Sequence, residues 1–188
     1  MECKVDLKLV SLLNNSLDFN DFKQKLKKEI PDINIREQNN LALIANKYKV
    51  NNFDISELES ECKNIIIDKE KLKLVVYSYN SILYNDDANN FLLENHDIDE
   101  NYEKTIYESF EGTMVVLFYY NDKWNISTRK CLDSNKSIWN NNKSYFNLFC
   151  ECIDDSFENF TNNLNNNFYY FFTIIHHENS YLVDYSDK

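Results

Sequence analysis

A chain of 188 residues with a formal charge of −11 is long enough for one sizeable core, and its excess of carboxylates disfavours generic nucleic-acid binding, which draws on Lys and Arg displacing counterions. With 43% hydrophobic and 15% aromatic residues it is too rich in core-forming side chains for a disordered protein. It carries no run of eighteen apolar residues and no basic segment followed by an apolar one, which excludes a membrane-spanning helix and a recognisable secretory signal.

The first thirty residues read as helical. Val5, Leu9, Leu12 and Leu13 recur at helical spacing, and Phe19, Phe22, Leu26 and Ile30 repeat the pattern after Asp18, a predicted N-cap. Pro31 ends the second helix. From Ile33 the period changes to alternation, through Ile35, Leu41, Leu43 and Ala45 around the polar tip Gln38-Asn39-Asn40, which predicts a hairpin. A second hairpin is predicted from 62–67 and 72–79 around Asp68-Lys69-Glu70-Lys71. The acidic stretch 86–103 reads as an irregular loop with a short helix around 88–94. Strands follow at 113–120 and 123–129 around Asn121-Asp122. One helix is predicted over 144–163, carried by Phe146, Phe149, Ile153, Phe157 and Phe160. Aromatic-rich strands at 168–175 and 180–185 close the chain. Helices mixed with antiparallel hairpins, with no Pro, Gly or Ser-rich linker, predict one α+β domain over 1–188.

The five cysteines are odd in number and irregularly spaced, which fits a reducing, cytoplasmic setting better than a disulfide framework. Thirty asparagines beside one glycine and one proline fit an AT-rich genome, such as that of a large DNA virus or a protist. His176-His177 reads as structural, because neighbours on a strand point to opposite faces, and Cys150 and Cys152 are two apart in a predicted helix and share no face. No metal site is expected. The aromatics Tyr119, Tyr120, Trp124, Tyr169, Tyr170, Phe171 and Phe172 suit strand packing, with base stacking as the alternative.

Three segments in order resemble the adenylation domain of the phage tRNA-repair RNA ligases, a family with divergent forms in large DNA viruses. They are Glu61-Cys62-Lys63-Asn64 leading through Ile65–Asp68 into Lys73–Ser78 and Leu83-Tyr84-Asn85; Ser109-Phe110-Glu111-Gly112-Thr113 followed by Ser127-Thr128-Arg129-Lys130; and Phe172-Thr173-Ile174 with Asn179 and Val183-Asp184-Tyr185. The resemblance spans roughly 57–185 and implies antiparallel sheets of an RNA-ligase-like nucleotidyltransferase domain, whose closing motifs would fall after residue 188. It places Ser109 where the family has its nucleophilic lysine, and serine cannot form the phosphoramidate. It also places Ser78, Ile82 and Thr173 at positions where the family has Arg, Lys and Glu. Lys104 and Lys123 lack the motif spacing.

Glu111, Gly112, Arg129, Lys130 and Phe172 are the nucleotide-binding candidates that the resemblance leaves, with Gly112 either at a close approach to the ligand or in a turn needing positive φ. The implied function is a non-catalytic RNA-ligase-like module binding a protein partner, an RNA end or a cap-like nucleotide, with RNA contact confined to Arg129 and Lys130, and with no cofactor. The alternatives are an active nucleotidyltransferase using ATP and Mg²⁺, and a decaying gene fragment.

Overall fold

The computed structural model describes residues 7–47, 55–78, 82, 86, 88–90, 110–138, 143–153 and 155–177. Helix α1 (Lys8–Asn14) and helix α2 (Phe19–Glu29) form where the apolar spacing predicts them, and Asp18 caps α2 by accepting from the Asp21 amide. Strands β1 (Asn34–Gln38) and β2 (Leu41–Ala45) make the first hairpin, and Asn39 takes the positive φ of its tip. A helix of five residues, α3 (Glu57–Glu61), precedes the second hairpin, β3 (Ile65–Asp68) with β4 (Lys73–Tyr77). These strands join in one antiparallel sheet of order β1-β2-β3-β4. Strands β5 (Thr113–Tyr120), β6 (Lys123–Thr128) and β7 (Tyr170–Ile174) form a second antiparallel sheet of order β6-β5-β7.

The helix expected over 144–163 is two helices, α4 (Tyr145–Cys152) and α5 (Phe157–Asn162). Ile153 leaves helical geometry, and Ser156 opens α5 by accepting from the Asn159 amide. The apolar stripe runs across the break because both helices pack on the same sheet. The strand expected at 180–185 lies outside the described residues, as does most of 86–103, of which 86 and 88–90 are helical.

Three apolar clusters stack these elements into four layers. Leu9, Leu13, Phe22 and Leu26 of the first two helices cover Ala42, Ile44, Ile65 and Ile67 on one face of the four-stranded sheet. The alternate residues of that sheet, Leu43, Ile66 and Val76, meet Val116 and Phe118 of the second, together with Leu132 just past β6. On the far face of the second sheet, Val115, Leu117, Ile126 and Ile174 receive Tyr145, Leu148 and Phe149. Because β2, β3 and β5 are covered on both faces, they read as unbroken apolar runs rather than alternating ones. Each fully buried Leu, Ile or Phe contributes roughly 1.5–3 kcal/mol. The α+β class expected from the sequence is what this layering shows.

Two buried carboxylates tie the layers together. Glu61, at the end of α3, accepts from the Lys8 amide at 3.0 Å and the Leu9 amide at 2.9 Å, which satisfies otherwise unpaired donors at the start of α1. Asp68, at the end of β3, accepts from the Glu70 and Lys71 amides and, across the inter-sheet layer, from the Tyr120 hydroxyl at 2.9 Å.

The glycine needs no positive φ. A Cβ on Gly112 would stand 2.5 Å from Thr173 Cγ2 and 2.6 Å from the Ile174 carbonyl oxygen, so the residue is small to let β5 start flush against β7. Of the two expectations for it, the positive-φ turn is therefore corrected: the constraint is contact between strands.

Candidate basic cleft between the sheets

Alternation along the strands decides what faces the gap between the sheets. In β1, Ile35 packs toward the helices, so Asn34 and Arg36 face the other way, and in β2 Leu43 and Ala45 share that direction. In β6, Ile126 points to the α4 side, so Ser127 and then Arg129 point back toward the first sheet. A cleft of about 370 Å³ opens there, lined by Asn34, Arg36, Leu43, Ala45, Asn46, Lys47, Arg129 and Lys130.

Four of these eight lining residues are cationic and none is acidic, in a chain whose formal charge is −11. Arg36 and Arg129 are the only arginines in the sequence. Their guanidiniums also tie the sheets together: Arg36 donates to the Lys130 carbonyl, and Arg129 Nη2 donates to Asn46 Oδ1 at 3.2 Å. Arg129 Nε is buried without a hydrogen-bond partner among the described residues. Lys47 reaches Asp32 at 3.1 Å, but both side chains are more than half exposed and screened by water. Nearby, the Lys63 amine is held below its ordinary pKa by burial and then by the charge of Arg129. Cations gathered in one cleft repel one another, and an oxyanion between them relieves the repulsion while accepting charge-assisted hydrogen bonds.

The sequence-based candidates do not converge. Arg129 and Lys130 line the cleft. Glu111 and Gly112 are exposed at the start of β5, against Thr173 and Ile174 of β7. Phe172 faces the opposite side of its sheet, opposed to Val115, with its ring centroid 5.3 Å from that of Phe149 and 5.9 Å from that of Phe160. Its neighbour Phe171 is the residue that faces the inter-sheet layer. Ser109 lies outside the described residues, Ile82 is exposed, and Ser78 is half-buried just past β4. Glu61, the first residue of the first segment of the resemblance, ends α3 and caps α1. Sequence reasoning missed Arg36, Asn46 and Lys47, since nothing in their spacing links residues 36–47 to 129–130.

His176 and His177 fall just past β7 and do not point to opposite faces. Their rings stack at 4.3 Å, and His176 Nε2 sits 3.0 Å from Glu151 Oε2. Among the described residues no group of three or more His, Cys, Asp or Glu could hold a metal ion. The cysteines at 62, 131, 150 and 152 are free, and burial, with the charge of neighbouring glutamates, pushes the thiol pKa of Cys62, Cys150 and Cys152 up. No helix among the described residues is long and apolar enough to cross a membrane.

The chain is similar to the immediate-early protein ICP-46 homolog of Invertebrate iridescent virus 3, at 45% identity over 49 residues. The match covers 26% of this chain and 11% of that protein. No protein-family profile matches the chain, and no solved structure does.

Proposed function

We propose that the chain is a non-catalytic, RNA-ligase-like binding module whose inter-sheet cleft holds the phosphates of a nucleotide or an RNA end. One observation carries this reading: both arginines of a strongly acidic chain, together with Lys47 and Lys130, line one cleft that contains no carboxylate. The acidic remainder of the surface repels a long phosphate backbone, so the ligand engages through its terminal phosphates, and the outer surface is left for a protein partner. The likeness to an iridescent-virus protein supports an origin in a large DNA virus.

Calorimetric titration with inorganic pyrophosphate and with ADP tests the reading. Each removed charge-assisted bond is worth about 1.5–3 kcal/mol, so Arg129→Gln weakens both ligands roughly 10- to 100-fold. Binding that is absent in the wild-type chain, or identical in Arg129→Gln and Lys130→Gln, sinks it.

A second reading, an active nucleotidyltransferase, needs a lysine nucleophile, and Lys63, whose amine is held below its ordinary pKa by burial and by Arg129, is the candidate beside the cleft although it does not line it. Incubation with α-labelled ATP and Mg²⁺ separates the two: a covalent adduct lost in Lys63→Arg replaces the first reading with the second.

A further inference from the structure

We infer that a second cleft on the same edge of the two sheets is a nucleobase site, so that the ligand is a single-stranded RNA end engaged through base and phosphate together. The inference rests on the phosphate reading above. This cleft, of about 420 Å³, lies between the tips of the β1–β2 and β5–β6 hairpins, with Gln38, Asn40, Trp124, Asn125, Asn135 and Phe146 in its lining.

The lining chemistry is that of a flat, uncharged, polar ligand. Carboxamides present both donors and acceptors, as base edges require, and indole and phenyl rings offer faces for stacking. Charge does not select here, because the lining holds one cation, Lys123, and one anion, Asp133. Two further asparagines in the lining have a structural reason to be there, since Asn39 and Asn121 hold positive φ at the hairpin tips. Gln38 and Asn40 do not, whereas Asn125 braces its own hairpin and Asn135 donates its side-chain amide to Asp133 Oδ1 at 3.3 Å. The Gln38 and Asn40 side-chain amides bond to no other described residue, and Asn125 spends its side-chain amide donor on the Tyr120 and Lys123 carbonyls, leaving its Oδ1 available. Trp124 is held in place by Tyr119, edge-on at 5.4 Å, and by Tyr170 at 6.1 Å.

Continuity with the basic cleft distinguishes a base from a neutral sugar. Arg36 of the first cleft and Gln38 of the second are two residues apart on β1, roughly 7 Å at a strand's rise per residue, and on the same face. Leu43 of the first cleft and Leu41 of the second stand in the same relation on β2. A short stretch of single-stranded backbone bridges that separation with its phosphate among the arginines and its base against Trp124.

The test measures the affinity of the full chain for a 5′-phosphorylated tetranucleotide RNA, for inorganic pyrophosphate, and for maltotriose as a neutral sugar. The RNA is expected to bind more tightly than pyrophosphate. Trp124→Ala is expected to weaken the RNA on the order of 5- to 100-fold while leaving pyrophosphate unchanged. The double variant Gln38→Ala/Asn135→Ala, which removes no packed ring, shifts RNA affinity in the same direction. RNA binding no tighter than pyrophosphate, RNA affinity untouched by the Gln38/Asn135 variant, or displacement of RNA by maltotriose would each overturn the nucleobase site. Loss of all pyrophosphate binding in the wild-type chain would instead overturn the phosphate reading beneath it.

Discussion

Replacing Gly112 by alanine separates a structural from a ligand-side role for the chain's one glycine. The new Cβ would sit 2.6 Å from the Ile174 carbonyl oxygen, and reaching even 3.0 Å requires β5 and β7 to part by about 0.4 Å where Thr113 pairs with Ile174. The second contact, 2.5 Å to Thr173 Cγ2, is with an exposed methyl that can rotate away. Overpacking of this kind costs about 1–3 kcal/mol, and the lower entropy of an unfolded alanine returns about 0.4–1 kcal/mol where no positive φ is involved. The net loss is about 1–2 kcal/mol, which for a chain of this length lowers Tm by roughly 2–8 °C. Thermal unfolding followed by circular dichroism reads it directly. Gly112→Ala/Thr173→Ala should recover only part of the loss, because the Ile174 carbonyl remains. A Tm equal to or above the parent's would refute the contact argument, and reduced pyrophosphate affinity at unchanged Tm would give Gly112 to the ligand instead.

The two carboxylates of α3 that meet Lys8 should behave oppositely. Glu61→Ala strands the buried Leu9 amide and the half-buried Lys8 amide and costs about 2–5 kcal/mol in urea unfolding, whereas Glu57→Gln removes an exposed pair with the Lys8 ammonium and leaves the midpoint where it was. Asp68 gives a pH test. Burial raises its carboxyl pKa, but the Lys71 amide, the Tyr120 hydroxyl and the Glu70 amide together outweigh burial and hold it below the ordinary carboxylate value. A depressed folded pKa means stability that is present above the unfolded value, near 4, and lost as pH falls through the folded one. Asp68→Asn should therefore be less stable than the parent at pH 7, with the gap closing below pH 4; a gap independent of pH contradicts the assignment. Tyr120, its phenol pushed up to about 12 by burial and by Asp68, should on conversion to Phe remove one hydrogen bond, worth about 1–3 kcal/mol because the acceptor is charged and buried.

Much of the layering was legible because local signals agreed with tertiary demand. Asp18 before Phe19, Phe22 and Leu26 marks α2, and Asn39 and Asn121-Asp122 sit where the hairpin tips need positive φ. Helix α3 was not legible, since Glu57–Glu61 is polar throughout but for Leu58 and forms because Ser56 caps it and Glu61 is consumed by α1. The break between α4 and α5 was hidden by phenylalanines that keep their spacing across it. Strand β7 misled for a related reason. Tyr170, Phe171 and Phe172 are all aromatic because both faces of that strand are covered, so the sequence carries no mark of which ring faces the gap. The cleft was half visible: Arg129 and Lys130 came from the resemblance, while Arg36 and Lys47 look like ordinary solvated charges until the sheets are stacked.

With only two arginines in the chain, both in the cleft, the arginine Nε–H region of a ¹H–¹⁵N spectrum isolates the proposed site. Saturation with pyrophosphate should move both signals, the Arg129 signal further, since its Nε begins without a partner. Pyrophosphate that perturbs lysine or backbone signals elsewhere while both arginine signals stay fixed would contradict the account.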